Sequence, residues 1–180
     1  KLRPSKSLQD SILNMLKGNK EFVLIDDQKV EFEQIKKAAL DAIKSNQKTV
    51  YIVRGGPGTG KSVVAINLLA ECIHNGYMAQ YITSNAAPRN VYSAMLQQGY
   101  KKSEIKALFQ SSGTFHTRKK NELQIAIVDE AHRLRKKSGM FQNQGEDQIK
   151  EIINASIFSV FFIDRNQRVT FNDAGTIDKI

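Results

Sequence analysis

Cysteine is nearly absent: Cys72 is the single one in 180 residues. A disulfide framework is therefore excluded, which suits a reducing compartment. Long apolar runs are missing too. Nothing approaches the roughly 18 consecutive apolar residues of a membrane span, and Lys1 to Ser11 lacks the apolar stretch of a signal peptide. Neither export nor membrane insertion is expected, and the expected location is cytoplasmic. Acidic residues are the scarcer sign: 18 Asp and Glu stand against 27 Lys and Arg, a formal charge of +9. That excess points to polyanionic partners, nucleic acid first. Histidine is sparse, and His74, His116 and His132 are scattered relative to Cys72, so no protein-bound zinc site is indicated. Repeats, low-complexity tracts and a clear interdomain linker are also lacking.

What is present suffices for one core. The composition is 41% hydrophobic and 25% charged, far from that of chains that stay disordered, and the length suits one domain of ~100–200 residues. Leu8, Ile12, Met15 and Leu16 mark a helix over Ser7–Lys17. Phe22–Ile25 is a short extended run. Asp26 and Asp27 offer N-cap oxygens to a helix reaching about Lys44, with Val30, Ile35, Ala38, Ala42 and Ile43 at helical spacing. Buried strands are expected at Thr49–Val53, Ala79–Thr83, Ile125–Val128 and Ile157–Ile163. Helices are expected at Lys61–Ile73, Ser103–Phe109 and Asp147–Ala155, and Pro88 suits the first turn of another. Strands alternating with helices predict an α/β fold, a parallel sheet covered on both faces. Residues 1–45 form the N-terminal helical segment of the same domain, and 46–180 carry the site.

At the end of the first strong strand stands Gly55-Gly56-Pro57-Gly58-Thr59-Gly60-Lys61-Ser62, which satisfies G-x-x-x-x-G-K-[ST] and opens directly into a helical pattern. Glycines let the backbone curl so that successive N–H groups face inward as an anion nest, and the helix directs its positive end at the same place. Lys61 would reach the β and γ phosphates of a nucleotide, and Ser62 would offer its hydroxyl to Mg²⁺. The dinucleotide pattern G-x-G-x-x-G does not occur. A second acidic element follows at Ile125-Ala126-Ile127-Val128-Asp129-Glu130-Ala131-His132. Asp129, closing a strand, suits holding Mg²⁺ through its water shell, and Glu130 can polarise the attacking water. His132 either senses nucleotide or caps the loop.

Asp129-Glu130-Ala131-His132 resembles the Walker B box of helicase-like P-loop ATPases, a spelling that also suits the DEAH-box RNA helicases. The Ser-Ala-Thr expected of the DEAH-box enzymes is absent. Ile163-Asp164-Arg165-Asn166-Gln167 resembles motif III of superfamily 1, a strand ending in Asp with Gln three residues on. Gln28 resembles the adenine-reading glutamine of that superfamily, Thr83-Ser84-Asn85-Ala86-Ala87 its motif Ia, and Thr114-Phe115-His116 its motif Ib. Together these are most similar to the Schlafen group 3-like DNA/RNA helicase domain, over about Leu24 to Val169.

The resemblance implies a RecA-like P-loop NTPase whose strands run P-loop, motif III, Walker B, Ia across the sheet. It implies ATP and Mg²⁺ as cofactors, Gln167 as a γ-phosphate sensor, and single-stranded DNA or RNA contacts at Thr83, Asn85, Thr114 and His116. It further implies a second RecA-like domain with an arginine finger, for which no room remains after Ile180. The chain opens with Lys rather than Met, so it is expected to be a piece of something longer, the first half of a motor. Arg165 stands where the family usually has an acidic residue or proline.

Lys101, Lys102 and Lys106, then Arg118, Lys119 and Lys120, then Arg133, Arg135, Lys136 and Lys137 form basic clusters. They are either solvated surface or a track for a single strand, and they flank the motifs where the superfamily lays one. Phe115 and Tyr92 favour core packing over base stacking, and Cys72 shares a helical face with Val64 and Leu68. The functional expectation is ATP hydrolysis coupled to acting on DNA or RNA. Its rival is an ATP-gated switch that recruits a partner without translocation.

Overall fold

A computed structural model of the chain describes residues 5–96, 100–139 and 143–164. Helix α1 (Lys6–Gly18) begins behind Ser5, whose hydroxyl accepts from Leu8 N at 3.4 Å. It buries Leu8, Ile12 and Leu16, one turn apart along a single face. Of the expected extended run at Phe22–Ile25, Val23 and Ile25 have extended backbone, while Phe22 closes a 3₁₀ turn with Lys20 and Glu21. Asn67 pins that turn by donating to Phe22 O at 2.9 Å.

Helix α2 (Asp26–Ser45) is capped differently from expectation. Its N-cap is Ile25, and the Gln28 side-chain oxygen accepts from Ile25 N at 3.2 Å. Asp26 and Asp27 therefore lie inside the first turn, where their charge complements the helix dipole instead of capping it. The buried stripe is Ile35, Ala39 and Ala42, while Val30 stays exposed. Asn46 ends the helix in the left-handed conformation at φ 52°.

Strand β1 (Thr49–Gly55) leads through residues 56–60 into α3 (Lys61–His74). Helix α3 is apolar nearly all round, from Val64 to Ile73, because α1, α2 and the sheet all pack on it. Strand β2 (Ala79–Ile82), helix α4 (Ala86–Leu96) and helix α5 (Lys102–Leu108) follow. Pro88 sits in the first turn of α4, as expected. Phe109, expected in the helix, instead joins Gln110 in a two-residue strand β3 beside Tyr81 and Ile82. After a 3₁₀ turn at Ser112–Thr117 come β4 (Leu123–Val128) and another at Ala131–Arg133. Last are α6 (Gln148–Ala155), capped by Asp147, and β5 (Ser156–Asp164).

The five strands among the described residues are all parallel, in the order β1-β5-β4-β2-β3. This is the order expected from the resemblance, extended at one edge by β3, and the fold is α/β of RecA-like type. Along β5 the side chains alternate between two cores. Phe158, Val160 and Phe162 join the larger core under α1 to α5, and Phe161 and Ile163 join the smaller one under α6. Helices thus cover both faces. Strand β1, expected to be buried, is an edge strand among the described residues: only Val53 is buried, and Val50 is 36% exposed. Cys72, Tyr92 and Phe115 are all core residues, as expected. No described helix is long and apolar enough to cross a membrane.

The interior position of β5, paired on both sides, sets an expectation for stability. Phe161→Ala should lower the unfolding free energy by about 3–5 kcal/mol, because a fully buried ring leaves a cavity. Val50→Ala on the edge should cost below about 1 kcal/mol. Urea denaturation of the two variants checks the ranking, and equal losses would contradict this strand order.

Candidate nucleotide site

Parallel register brings the chemistry together. Gly55 pairs with Asp164, and Ile82 pairs with Val128, so Gly55, Asp164, Asp129 and Thr83 all lie at the carboxyl edge of the sheet. That edge is where open parallel sheets place ligands.

The glycine loop turns through Gly58 at φ 76° and Gly60 at φ 81°, a region that other residues enter only with strain. Gly60 is also constrained from outside, because a Cβ there would run into the Gln28 side-chain amide. That amide donates from Nε2 to Thr59 O at 3.1 Å, so Gln28 ties the start of α2 to the loop. Gly55 faces a similar limit, with a Cβ meeting Thr59 Oγ1 at 2.7 Å. Lys61 curls back over the loop, donating to Gly56 O at 2.5 Å and Gly55 O at 3.2 Å. Its Nζ lies 4.0 Å from Asp164 Oδ2. Ser62, next along α3, lines the same cavity.

Asp129 is 2% exposed, with both carboxylate oxygens engaged. Oδ1 accepts from Glu130 N at 2.9 Å, and Oδ2 accepts from the Tyr81 hydroxyl. Tyr81 reaches it from a cluster with Tyr92 and Phe109. Burial, and then the adjacent Asp129 carboxylate, push the Tyr81 phenol well above its ordinary pKa. Glu130 has φ 51°, left-handed, a conformation that costs a residue with a Cβ about 1–2 kcal/mol. Its Oε2 sits 3.0 Å from Arg133 Nε, an ion pair whose angle is not that of a hydrogen bond. His132 is buried, and its Nδ1 accepts from Asp164 N at 3.4 Å, securing the end of β5.

Pro57 to Val63, Asp129, Glu130, His132 and Asp164 enclose a cavity of about 310 Å³. The structure thus brings together Gly55, Gly56, Pro57, Gly58, Thr59, Gly60, Lys61, Ser62, Asp129 and Glu130, with Gln28 braced on the loop. Gln167 and Arg165 lie outside the described residues. Thr83 is fully buried, and its Oγ1 accepts from Asn85 N at 3.2 Å. Thr114 and His116 are exposed on the turn after β3. Two residues of the site and one contact have no role assigned from sequence. Asp164 was seen only as part of a motif, although a strand-terminal Asp is itself a signal. Tyr81 and the contact of Gln28 with the loop leave no trace in spacing, because strand register and a turn 31 residues away create them.

The lining is one cation and three carboxylates, and the hard oxygens of Ser62 and Asp129 suit Mg²⁺. Among the described residues no group of three or more His, Cys, Asp or Glu could hold a metal alone.

The family model of the Schlafen group 3, DNA/RNA helicase domain matches residues 48–180. The chain belongs to this family. No curated protein matches it significantly. Membership makes the domain helicase-like and nucleotide-acting, and the whole site from Gly55 to Asp164 falls within the matched region, whereas Gln28 precedes it.

Two outcomes are expected. Gly60→Ala should destabilise the fold by about 1–2 kcal/mol through its left-handed backbone alone. It should cost more through the Gln28 contact, so the loss should shrink in a Gln28→Ala background; denaturation of the four-member cycle measures this, and strict additivity would remove the contact. The unfolded phenol ionises near about pH 10, whereas Tyr81 in the fold keeps its proton to higher pH. Stability should therefore fall as pH rises past about 10, and Tyr81→Phe should flatten that fall. Melting curves across the alkaline range compare the two proteins.

Proposed function

We propose that the domain binds ATP with Mg²⁺ and hydrolyses it in the course of acting on single-stranded DNA or RNA. The observation that carries this is the convergence of the Lys61 ammonium and the anion nest with Asp129, Glu130 and Asp164 around one cavity. A triphosphate with its divalent ion complements that mixture of charge, whereas a simple anion would meet three carboxylates.

The residues divide the work. Lys61 would exchange its bonds to Gly55 O and Gly56 O for β and γ phosphate oxygens, and Asp164 nearby keeps the ammonium on that side. Ser62 and Asp129 would hold Mg²⁺, with Tyr81 and the Glu130 amide fixing the carboxylate plane. Mg²⁺, when bound, neutralises charge on the transferring phosphoryl group. Glu130 would accept a proton from the attacking water once its carboxylate turns from Arg133 into the cavity. Gln28 has one amide hydrogen and one oxygen lone pair committed, which leaves one of each for an adenine edge. Gln167 is assigned to sensing the γ-phosphate on the family pattern alone.

An arginine that meets the transition state contributes ~10³–10⁵ in rate in such enzymes, and no arginine lines this cavity among the described residues. Slow turnover follows, and with it some support for the switch reading. A second RecA-like domain would supply the missing charge.

Titration calorimetry tests the binding. Lys61→Ala should weaken Mg²⁺–ATP binding about ten- to a hundredfold, since a charged hydrogen bond is worth ~1.5–3 kcal/mol, and unchanged affinity would falsify the assignment. GTP competing as well as ATP would remove the adenine role of Gln28. Phosphate release by this chain should be slow, with or without single strands. Turnover of about 1–100 s⁻¹ by the monomeric chain would mean that its own residues already contain the activating arginine.

A further inference from the structure

A second cavity, of about 290 Å³, lies beside the first and is lined among others by Ser84, Asn85, Ser112, Arg133, Arg135 and Lys137. Among the described residues three cations and no carboxylate line it, so it suits an anion. The Ser84 side-chain oxygen is buried without a hydrogen-bond partner among the described residues. The segment carrying the cations is held firmly. Gln148, buried on α6, accepts from Arg135 N at 3.0 Å and donates to Ser138 Oγ at 2.9 Å, and Ser138 pairs with Gln144.

The two cavities meet through one ion pair. Glu130 lines the first, Arg133 lines the second, and Glu130 Oε2 is 3.0 Å from Arg133 Nε. The turn between them cannot move easily, because Ala131, His132 and Leu134 are buried. The two side chains, 29% and 35% exposed, are free to choose other partners. Neither Oε2 nor Nε has an aligned hydrogen bond. Of the three cations, Arg133 alone has an ion pair among the described residues.

We propose that the second cavity takes a backbone phosphate of a single strand, and that Arg133 is a positioning residue coupling its occupancy to Glu130. A phosphodiester offers the guanidinium a stronger, bidentate partner than the misaligned carboxylate. When phosphate draws Arg133 away, Glu130 is released toward the nucleotide cavity. Without it, the ion pair keeps Glu130 from the water. The coupling is reciprocal, so removing the Glu130 charge must strengthen binding of the strand.

The affinity half of this inference needs no hydrolysis; the rate half rests on the ATPase reading above. Fluorescence anisotropy at low salt with a labelled oligothymidylate and a labelled oligouridylate compares wild type, Glu130→Gln, Arg133→Ala and the double variant. Arg133→Ala should weaken binding. Glu130→Gln should tighten it about fivefold or more and steepen its salt dependence by about 0.7, but only while Arg133 is present. Equal tightening in the Arg133→Ala background would reveal a general charge effect and overturn the proposal, as would affinity indifferent to Arg133, or no binding at all. A gain with only one of the two oligonucleotides supports the coupling and identifies the sugar. Single-turnover decay of ATP gives the second readout. Arg133→Ala should raise the strand-free rate and lose its response to the oligonucleotide, whereas Arg133→Lys should keep part of both. A slower strand-free rate in Arg133→Ala would overturn the coupling. ATP left intact by every variant would sink the ATPase reading, while an intact affinity cycle would still uphold the link between Arg133 and Glu130.

Discussion

Parallel pairing of β5 between β1 and β4 is the constraint on which the site depends. It sets Gly55 level with Asp164 and Val128 level with Phe161, so the glycine loop and the acid pair emerge at one height. A slip of one residue would exchange the inward and outward faces of β5, sending Phe158 and Phe162 to the wrong core. Five aromatic or branched residues, Phe158 and Val160 to Ile163, forbid that slip because each face is filled. The position of Asp164 relative to Lys61 is therefore fixed by packing more than ten ångströms of strand away.

The loop above this edge is held by its surroundings as much as by its own glycines. Gln28 serves two elements at once, closing the first turn of α2 and holding the carbonyl of Thr59. Tyr81 performs a comparable service for Asp129 from within an aromatic cluster. Each of these contacts is a single hydrogen bond worth about 1 kcal/mol, and their value lies in orientation more than in stability. Preorganised dipoles and charges need not rearrange when charge develops on a bound phosphate.

Much of this was legible in the sequence, and the remainder has identifiable physical reasons. Strand and helix alternation, the glycine motif and the acid pair are local patterns, so they located β1, α3 and β4 and the residues around the cavity. The start of α2 was misassigned because Asp26 and Asp27 are good cap residues, yet Gln28 supplies the bond from inside the helix. Val30 has helical spacing but faces outward, since Ile35, Ala39 and Ala42 already fill the contact with α3. The exposure of β1 is invisible in its apolar run, because whether a strand is central or marginal depends on partners distant in sequence. Phe109 was drawn out of a helical pattern by pairing with Tyr81, a tertiary preference that overrides local propensity.

The backbone of Glu130 carries a consequence for how this domain tolerates change. At φ 51° the position would be more comfortable as glycine or asparagine, residues that enter the left-handed region readily. Its carboxylate is thus maintained against a local conformational preference, as is common where strain is stored in functional turns. A library screened for thermal resistance alone would drift toward Gly at residue 130 and lose the carboxylate proposed above to accept the proton of the attacking water. On that proposed role, stability and chemistry select opposite residues at this point on the sheet edge, so a stabilised version of the domain is best sought elsewhere, with residue 130 held constant.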